Sequence, residues 1–187
     1  SKQSYSYEEL EDVINIASSV VINIGTMNSS HLDLFIKASK YANKVGKKLV
    51  LDPVGVFASK KRQELVRIVS RKNESIVIKG NMAEIKFIGG QAVNGQGVES
   101  NEECDDINQL KTISKKLKTT LATTGKRDII VDGDKVVKIH NGSPKLKSVT
   151  GTGCMINSLI GSFLGVSDNS MDAAIMGTLC MSLSGEL

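Results

Sequence analysis

The chain has 187 residues, of which 40% are hydrophobic, and this is enough apolar side chain to fill the core of one domain. Its net charge of +4 is a mild surplus that suits anionic ligands, and the absence of tryptophan with only 4% aromatic residues argues against a nucleic-acid partner. No apolar run approaches the roughly 18 residues of a membrane span, and the N-terminus has no signal-like pattern, so we expect a cytoplasmic protein without a membrane partner.

The first part of the chain predicts a strand, helix, strand unit. The opening "SYEELEDVINIAS" is helical in pattern, with a capping box at Ser6 and Glu9. "SVVINIG" (19–25) and "KKLVLDPVG" (47–55) are β-branched runs that end in glycine or proline, which is typical of strands buried on both faces of a parallel sheet. Between them, apolar residues recur at spacings of three and four over 29–45, which predicts an amphipathic helix.

The same alternation continues toward the middle of the chain. The patterns predict a helix near 58–71, a strand at 74–80, a short helix at "NMAEI", a helix near 104–117 and a strand at 119–125. Strands that alternate with helices predict a mostly parallel sheet flanked by helices. "DIIVDGDKVVKIHNG" (128–142) predicts an antiparallel edge hairpin, and the Gly- and Asn-rich stretch 89–103 predicts a surface loop with no assigned role.

A glycine-rich turn then leads into an amphipathic helix at "SVTGTGCMINSLIGSF" (148–163), followed by a terminal helix from about 170. The expected apolar stripe consists of Met155, Ile156, Leu159, Ile160, Phe163 and Leu164. Gly151 and Gly153 permit a turn that other residues resist. Because the first turn of a helix has unpaired N–H groups and the positive end of the dipole, Thr152 and Gly153 are predicted to form an anion hole for phosphate.

Cys154 lies within that first turn, where the same N–H groups favour a thiolate that serves as nucleophile, base or redox thiol. The alternative is a small buried hydrophobe beside a tight turn, and the turn alone does not decide between them. Cys104, among acidic residues, and Cys180, in an apolar helical run, are not predicted to be reactive. The three cysteines have no CxxC spacing, so neither a disulfide framework nor a zinc site is predicted.

Two carboxylates follow the ends of predicted strands. Asp52 in "VLDPVG" stands at the end of an apolar strand, Glu84 follows "IKGNMA", and the carboxyl ends of parallel strands meet at one edge of a sheet. Together these side chains suit Mg²⁺ held through water. The alternatives are a turn-forming Asp52 before Pro53 and a Glu84 that forms a capping box with Asn81.

Two further side chains end strands at the same predicted edge. Lys79 stands before Gly80, and Thr124 stands before Gly125. Both are placed to contact phosphate oxygens. The alternatives are a solvated charge for Lys79 and an ordinary strand terminus for Thr124.

In order along the chain, "VINIGT", "LDPVG", "IKGNMAEI", "TTG" and "VTGTGC" with its apolar helix resemble the hydroxyethylthiazole kinases of thiamine salvage, a family of the ribokinase-like superfamily. The resemblance covers nearly the whole chain, and the cysteine is its most specific feature, because most ribokinase-like enzymes have Asp after the glycines. It implies a single ribokinase-like α/β domain over 1–187, ATP and Mg²⁺, and transfer of the γ-phosphate to the primary alcohol of 4-methyl-5-(2-hydroxyethyl)thiazole. It also implies a homotrimer with active sites between subunits.

The resemblance assigns a role to each matching residue. Cys154 matches the catalytic cysteine, Gly151 a substrate-binding position, Lys79 and Thr124 the ATP contacts, and Asp52 and Glu84 the acidic positions associated with metal and phosphates. Lys79 replaces the usual arginine, so a point charge stands where the family has a forked guanidinium. Phe57 replaces a small residue and is expected to reshape the nearby pocket.

Family members have a further upstream strand and helix, with a methionine of the thiazole pocket, and a longer last helical region. The closing "SMDAAIMGTLCMSLSGEL" also stops inside an apolar helical pattern, so we expect a domain truncated at both ends. Two other functions stay open. One is a related kinase that acts on hydroxymethylpyrimidine, and the other is a non-catalytic nucleotide-binding or thiol-sensing domain.

Overall fold

A computed structural model describes residues 9–26, 29–72, 76–90 and 103–187. The helices are α1 (Leu10–Ile16), α2 (Ser29–Lys44), α3 (Lys60–Lys72), α4 (Met82–Ile88), α5 (Glu103–Leu117), α6 (Thr152–Leu164) and α7 (Ser170–Ser184). The strands are β1 (Ser19–Asn23), β2 (Lys48–Asp52), β3 (Ile76–Asn81), β4 (Thr120–Thr124), β5 (Asp128–Asp132) and β6 (Lys135–Ile139). The expected capping residue Ser6 and most of the loop 89–103 lie outside the described residues.

The strands form one sheet in the order of the chain, β1-β2-β3-β4-β5-β6. The first four strands are parallel, and β5 and β6 add an antiparallel edge, which confirms the expected α/β architecture. In the parallel part Asn23 is paired with Asp52, and Asn81 with Thr124. The carboxyl ends of these strands therefore lie side by side.

Helices cover both faces of the sheet, so the molecule has three layers. One face carries Leu49, Leu51, Ile78 and Leu121 against a core that includes buried residues of α1 to α5. The other face carries Val50, Val77, Ala122 and Ile130 against α6 and α7. Because successive side chains of a strand point to opposite faces, Asp52, Lys79 and Thr124 share the face covered by α6 and α7.

The pair α6 and α7 packs closely at Gly177. A methyl group at this position would lie 2.5 Å from the backbone nitrogen of Ile160 and 2.7 Å from its Cα, distances that real side chains do not reach. Because the obstacle is backbone, a small rotamer change does not relieve it. The two helices can approach to this distance only with glycine at 177.

Gly177→Ala is therefore expected to lower the free energy of unfolding by about 2 kcal/mol, although alanine is the better helix former by about 1 kcal/mol. Urea denaturation followed by circular dichroism measures this change. Met176→Ala on the same helix is the control, because Met176 is exposed, and its effect should stay within about 0.5 kcal/mol. A Gly177→Ala chain at least as stable as the wild type would contradict the close packing.

Two expectations differ from the structure. Val21 in β1 is 40% exposed rather than buried, because β1 is the outermost strand of the described sheet. Met155 is 42% exposed and does not belong to the buried stripe of α6, which consists of Ile156, Ile160 and Leu164 with Leu159 and Phe163 packed beside them. The terminal helix ends at Ser184, and Glu186 accepts a hydrogen bond from the Gly142 N–H at 2.7 Å.

Within the described ranges no helix combines the length and the apolar character of a membrane span.

Candidate active site

The carboxyl ends of the parallel strands meet the first turn of α6. Asp52 and Thr124 end β2 and β4, Lys79 lies two residues before the end of β3, and all three face this turn, as the alternation of the strands requires. An asparagine that was not predicted, Asn23, ends β1 on the same face. Glu84 lies at the same edge, in the first turn of α4.

The turn before α6 has the backbone geometry that the sequence predicts. Gly151 caps the helix with φ of 97°, a left-handed conformation that costs other residues about 1–2 kcal/mol. A Cβ on Gly153 would lie 3.2 Å from the Lys79 ammonium nitrogen, so glycine at 153 lets this cation approach the helix start. Thr152 and Gly153 are the first residues of α6, and Cys154 follows them with an exposed side chain. The alternative of a buried, purely structural Cys154 is therefore wrong.

Asp52 is buried and accepts hydrogen bonds on both carboxylate oxygens. The Val54 N–H donates to Oδ1 at 3.0 Å, which is the turn expected before Pro53. The side-chain amides of Asn23 and Asn157 donate to Oδ2 at 3.0 Å and 2.5 Å. The Lys79 ammonium lies 3.5 Å from the same oxygen. Asp52 therefore joins three strands and α6 at one carboxylate.

Lys79 is only 7% exposed, so the alternative of a solvated surface charge is wrong. Its ammonium forms an ion pair with Asp52, and both side chains are more than nine-tenths buried. This pair places a positive charge directly beneath Gly153. A contact between Lys79 and bound phosphate, as the resemblance implies, stays a prediction.

Glu84 forms the capping box that was weighed as its structural alternative. The Asn81 N–H donates to Glu84 Oε2 at 2.8 Å, and the Glu84 N–H donates to Asn81 Oδ1 at 2.9 Å. Burial raises the pKa of the Glu84 carboxyl, the bond from Asn81 opposes this rise, and the nearby Asp52 adds to it. The capping box is thus part of Glu84's role, and any contact with a metal would be additional to it.

Asp52 and Glu84 suit only one mode of Mg²⁺ binding, in which water and substrate phosphates supply the other ligands. Their oxygens are the hard donors that this ion prefers, but Asp52 is already surrounded by protein donors and Glu84 Oε2 by the Asn81 N–H. In the part of the chain that the structure describes, no three His, Cys, Asp or Glu side chains cluster as a metal site. The residues present therefore suit an ion held through water and substrate phosphates rather than by a protein cage.

Two asparagines of the site, Asn23 and Asn157, were not predicted. Asn23 donates to Asp52 and also to the Cys154 sulfur, at 3.6 Å. Asn157 is 1% exposed, and its Oδ1 has no hydrogen-bond partner among the described residues. Each had a signal in the sequence that could have identified it. Asn23 ends a strand as Asp52 does, and Asn157 interrupts the apolar pattern of α6.

A cavity of about 440 Å³ opens beside the turn. Thr124, Thr152 and Gly153 line one part of it, and His140, Pro144 and Met181 are among the residues that line the rest. Thr124 is half-buried, and its hydroxyl lies 3.5 Å from the Gly80 carbonyl. Phe57 is not among the described lining residues. It packs edge-on against Phe87 with ring centroids 5.3 Å apart, and its expected effect on the pocket near it stays a prediction.

Asp128 also lines the cavity and accepts hydrogen bonds from the Gly125 N–H at 3.1 Å and the Ser182 hydroxyl at 3.3 Å. Burial raises the pKa of its carboxyl, and these two bonds offset part of the rise. The folded chain therefore holds this proton more tightly than the unfolded chain. The contribution of Asp128 to stability is complete below the ordinary pKa of aspartate and is lost as the pH rises through the folded pKa.

Asp128→Asn keeps an acceptor for the Gly125 N–H and a partner for Ser182 but removes the titration. We expect the variant to gain stability relative to the wild type as the pH rises from about 4 to about 7. Urea midpoints of the two chains across this range measure the difference. A difference that stays constant with pH would contradict the raised pKa.

Comparisons with known proteins bear on the family of this chain. Residues 2–187 match the Hydroxyethylthiazole kinase family. A hydroxyethylthiazole kinase from Clostridioides difficile strain 630 is 56% identical over 185 residues, which cover 98% of this chain and 71% of the relative. A solved hydroxyethylthiazole kinase from Pyrococcus horikoshii OT3 superposes with a TM-score of 0.82 at 35% identity, over 93% of this chain and 65% of that structure.

The fold is shared more widely. A ribokinase-like superfamily protein from Enterococcus faecalis V583 superposes with a TM-score of 0.69 at 18% identity, over 95% of this chain and 57% of that one. The predicted ribokinase-like fold is thereby confirmed. The chain spans about two thirds of the length of the P. horikoshii structure. Its motifs, fold and sequence similarity together establish that this chain belongs to the hydroxyethylthiazole kinase family.

Proposed function

We propose that this chain transfers the γ-phosphate of ATP to the primary alcohol of 4-methyl-5-(2-hydroxyethyl)thiazole, as a single kinase domain in the thiamine pathway. The observation that carries the proposal is the position of Cys154. Its exposed thiol lies in the first turn of α6, above the buried Asp52–Lys79 pair and beside a cavity lined by Thr124 and Gly153.

In this proposal the first turn of α6 binds the transferred phosphate. The N–H groups at Thr152 and Gly153 face the developing negative charge, and the Lys79 ammonium beneath Gly153 adds a positive charge. Lys79 and Thr124 contact ATP, whose nucleoside part enters the cavity, since about 440 Å³ lies within the usual range for small ligands. Gly151 leaves room for the substrate alcohol, because among the described residues no heavy atom beyond its chain neighbours lies within 4 Å of where its Cβ would be.

Cys154, as its thiolate, accepts the proton of the alcohol while the alcohol oxygen bonds the γ-phosphorus, the bond from that phosphorus to the β-phosphate oxygen breaks, and ADP leaves. The phosphoryl-transfer transition state is loose, so the reaction depends little on a strong base. Positioning and charge stabilisation therefore supply most of the rate. Asp52 and Glu84 are the residues that would hold Mg²⁺ through water, and the ion would supply neutralisation of charge on the phosphates. The chain's own contribution is then to hold the alcohol, the phosphate and Cys154 together.

One assay tests the proposal. This chain, and a version extended at both ends, are given ATP and Mg²⁺ with either the thiazole alcohol or hydroxymethylpyrimidine, and ADP release is measured. We expect turnover with the thiazole alcohol. Turnover with the pyrimidine alone would assign the chain to a related kinase. ATP binding without turnover in the extended version would indicate a non-catalytic nucleotide-binding or thiol-sensing domain.

The proposed setting is a cytoplasmic homotrimer with active sites between subunits. Light scattering of the extended chain measures its mass, and three copies are expected. If the sites are shared, activity per chain should fall on dilution below the concentration at which the trimer dissociates. A fully active monomer would contradict this assembly.

A further inference from the structure

Asn23 uses every hydrogen-bonding group of its side chain at the site. Its Oδ1 accepts from the Gly25 N–H at 2.8 Å, and its Nδ2 donates to Asp52 Oδ2 at 3.0 Å and to Cys154 Sγ at 3.6 Å. A side-chain amide offers one such acceptor oxygen and two N–H donors. All three are assigned, so this side chain is held on three sides.

The Gly25 N–H settles which way the amide faces. If the amide were flipped, its NH₂ group would face another donor, and its oxygen would face the Asp52 carboxylate. Both contacts would be repulsive, so the NH₂ group must face Asp52 and Cys154. The glycine at 25 also leaves room for this arrangement, since a Cβ there would lie 2.9 Å from Asn23 Oδ1.

The consequence falls on the sulfur of Cys154. The Asn23 N–H donates to Sγ and to Asp52, so the sulfur is held at a fixed place beside the carboxylate at the end of β2. The same bond limits the directions in which an exposed side chain at the start of a helix can point. Asn23 therefore links the carboxylate at the end of β2 to the reactive atom of α6.

We propose that Asn23 is a positioning residue for Cys154, which holds the sulfur toward the substrate alcohol. This role rests on the proposed function, in which Cys154 is the base. The contact between the two side chains is measurable without any turnover.

The first test measures alkylation of Cys154 by iodoacetamide at neutral pH, read by mass spectrometry of the peptide that contains Cys154. In Asn23→Ala we expect the rate to change roughly threefold, because the sulfur loses the N–H that fixes its direction. Asn15→Ala is the matched control, since its amide bonds Tyr41 away from the site, and its rate should equal that of the wild type. An Asn23→Ala chain that reacts at the wild-type rate would overturn the proposal.

The second test avoids dependence on the folding of an Asn23 variant. The side-chain N–H protons of Asn23 are assigned by NMR in the wild type, in Cys154→Ala and in Cys180→Ala. We expect them to shift in Cys154→Ala, where the sulfur acceptor is lost, and to stay in place in Cys180→Ala. Equal spectra in all three chains would show that Asn23 does not donate to Cys154.

The third test separates positioning from general stabilisation of β1. Asn23→Ala should lower kcat about tenfold with little change in KM for ATP, and this loss should disappear when Cys154 is already alanine. A loss of the same size in both backgrounds would assign Asn23 a structural role and overturn the proposal. If the wild type binds ATP but does not turn over, the proposed function fails, and alkylation and NMR still decide the role of Asn23.

Discussion

Cys154→Ala is expected to lower kcat by about tenfold to a hundredfold and to leave turnover that is clearly above background. The residual rate comes from groups that the substitution does not touch: the N–H groups of α6 and the Lys79 ammonium beneath Gly153. Because Cys154 is exposed, the variant should fold like the wild type. Steady-state ADP release at saturating ATP and alcohol measures the change.

Cys154→Asp gives the sharper comparison. A carboxylate at this position is what most ribokinase-like enzymes carry, so we expect the variant to retain or exceed the activity of the wild type. The Asn23 amide that donates to Sγ would donate to the carboxylate instead. If the folded aspartate variant were completely inactive, the assignment of Cys154 as base would fail.

Asp52→Ala is expected to have the largest effect on stability, a loss of about 3–5 kcal/mol in the free energy of unfolding. The substitution leaves the Lys79 ammonium buried without its ion-pair partner. It also removes the carboxylate acceptor of the Asn23 and Asn157 amides. Urea denaturation measures the loss. Asp52→Asn should also be strongly destabilised, because its new NH₂ group would face donors.

Lys79→Met is the matched control for Asp52→Ala. It removes the other member of the ion pair, but Asp52 keeps the donors of Asn23, Asn157 and Val54, so the loss should stay below about 2 kcal/mol. The predicted asymmetry arises because Asp52 keeps three hydrogen-bond donors when Lys79 is replaced, whereas Lys79 loses its ion-pair partner when Asp52 is replaced. Equal losses for the two variants would contradict the picture of Asp52 as the centre of the network.

Much of the fold and part of the site could be predicted because they depend on local patterns. Apolar spacing located the helices and strands, and the Asp132-Gly133-Asp134 turn predicted the antiparallel edge. The ends of parallel strands predicted that Asp52, Lys79 and Thr124 would gather near the Gly151 turn. The burial of Lys79 was missed, because whether a strand-end lysine is solvated depends on what covers it, here α6.

The roles of the two asparagines of the site could not be predicted from sequence patterns. Asn23 and Asn157 are ordinary polar residues until β1, β2 and α6 are brought together, and only then do their amides meet Asp52 and Cys154. Met155 is the opposite case. Helical spacing predicted that it belongs to the apolar stripe, but the position of the helix leaves it exposed. Side-chain partners across the fold are set by tertiary packing, which one sequence does not display.

The way α6 closes over the strands has a consequence for the order of folding. Strands β1 to β6 are neighbours in space in the order in which they are synthesised, so their pairing spans short stretches of chain. The bonds from Ser19 to Gly161, from Asn157 to Asp52 and from Asn23 to Cys154 span 142, 105 and 131 residues. Such distant closures are slow relative to local pairing. On the ribosome the sheet can therefore form ahead of the proposed catalytic centre, which is assembled only when α6 and α7 have left the exit tunnel and docked.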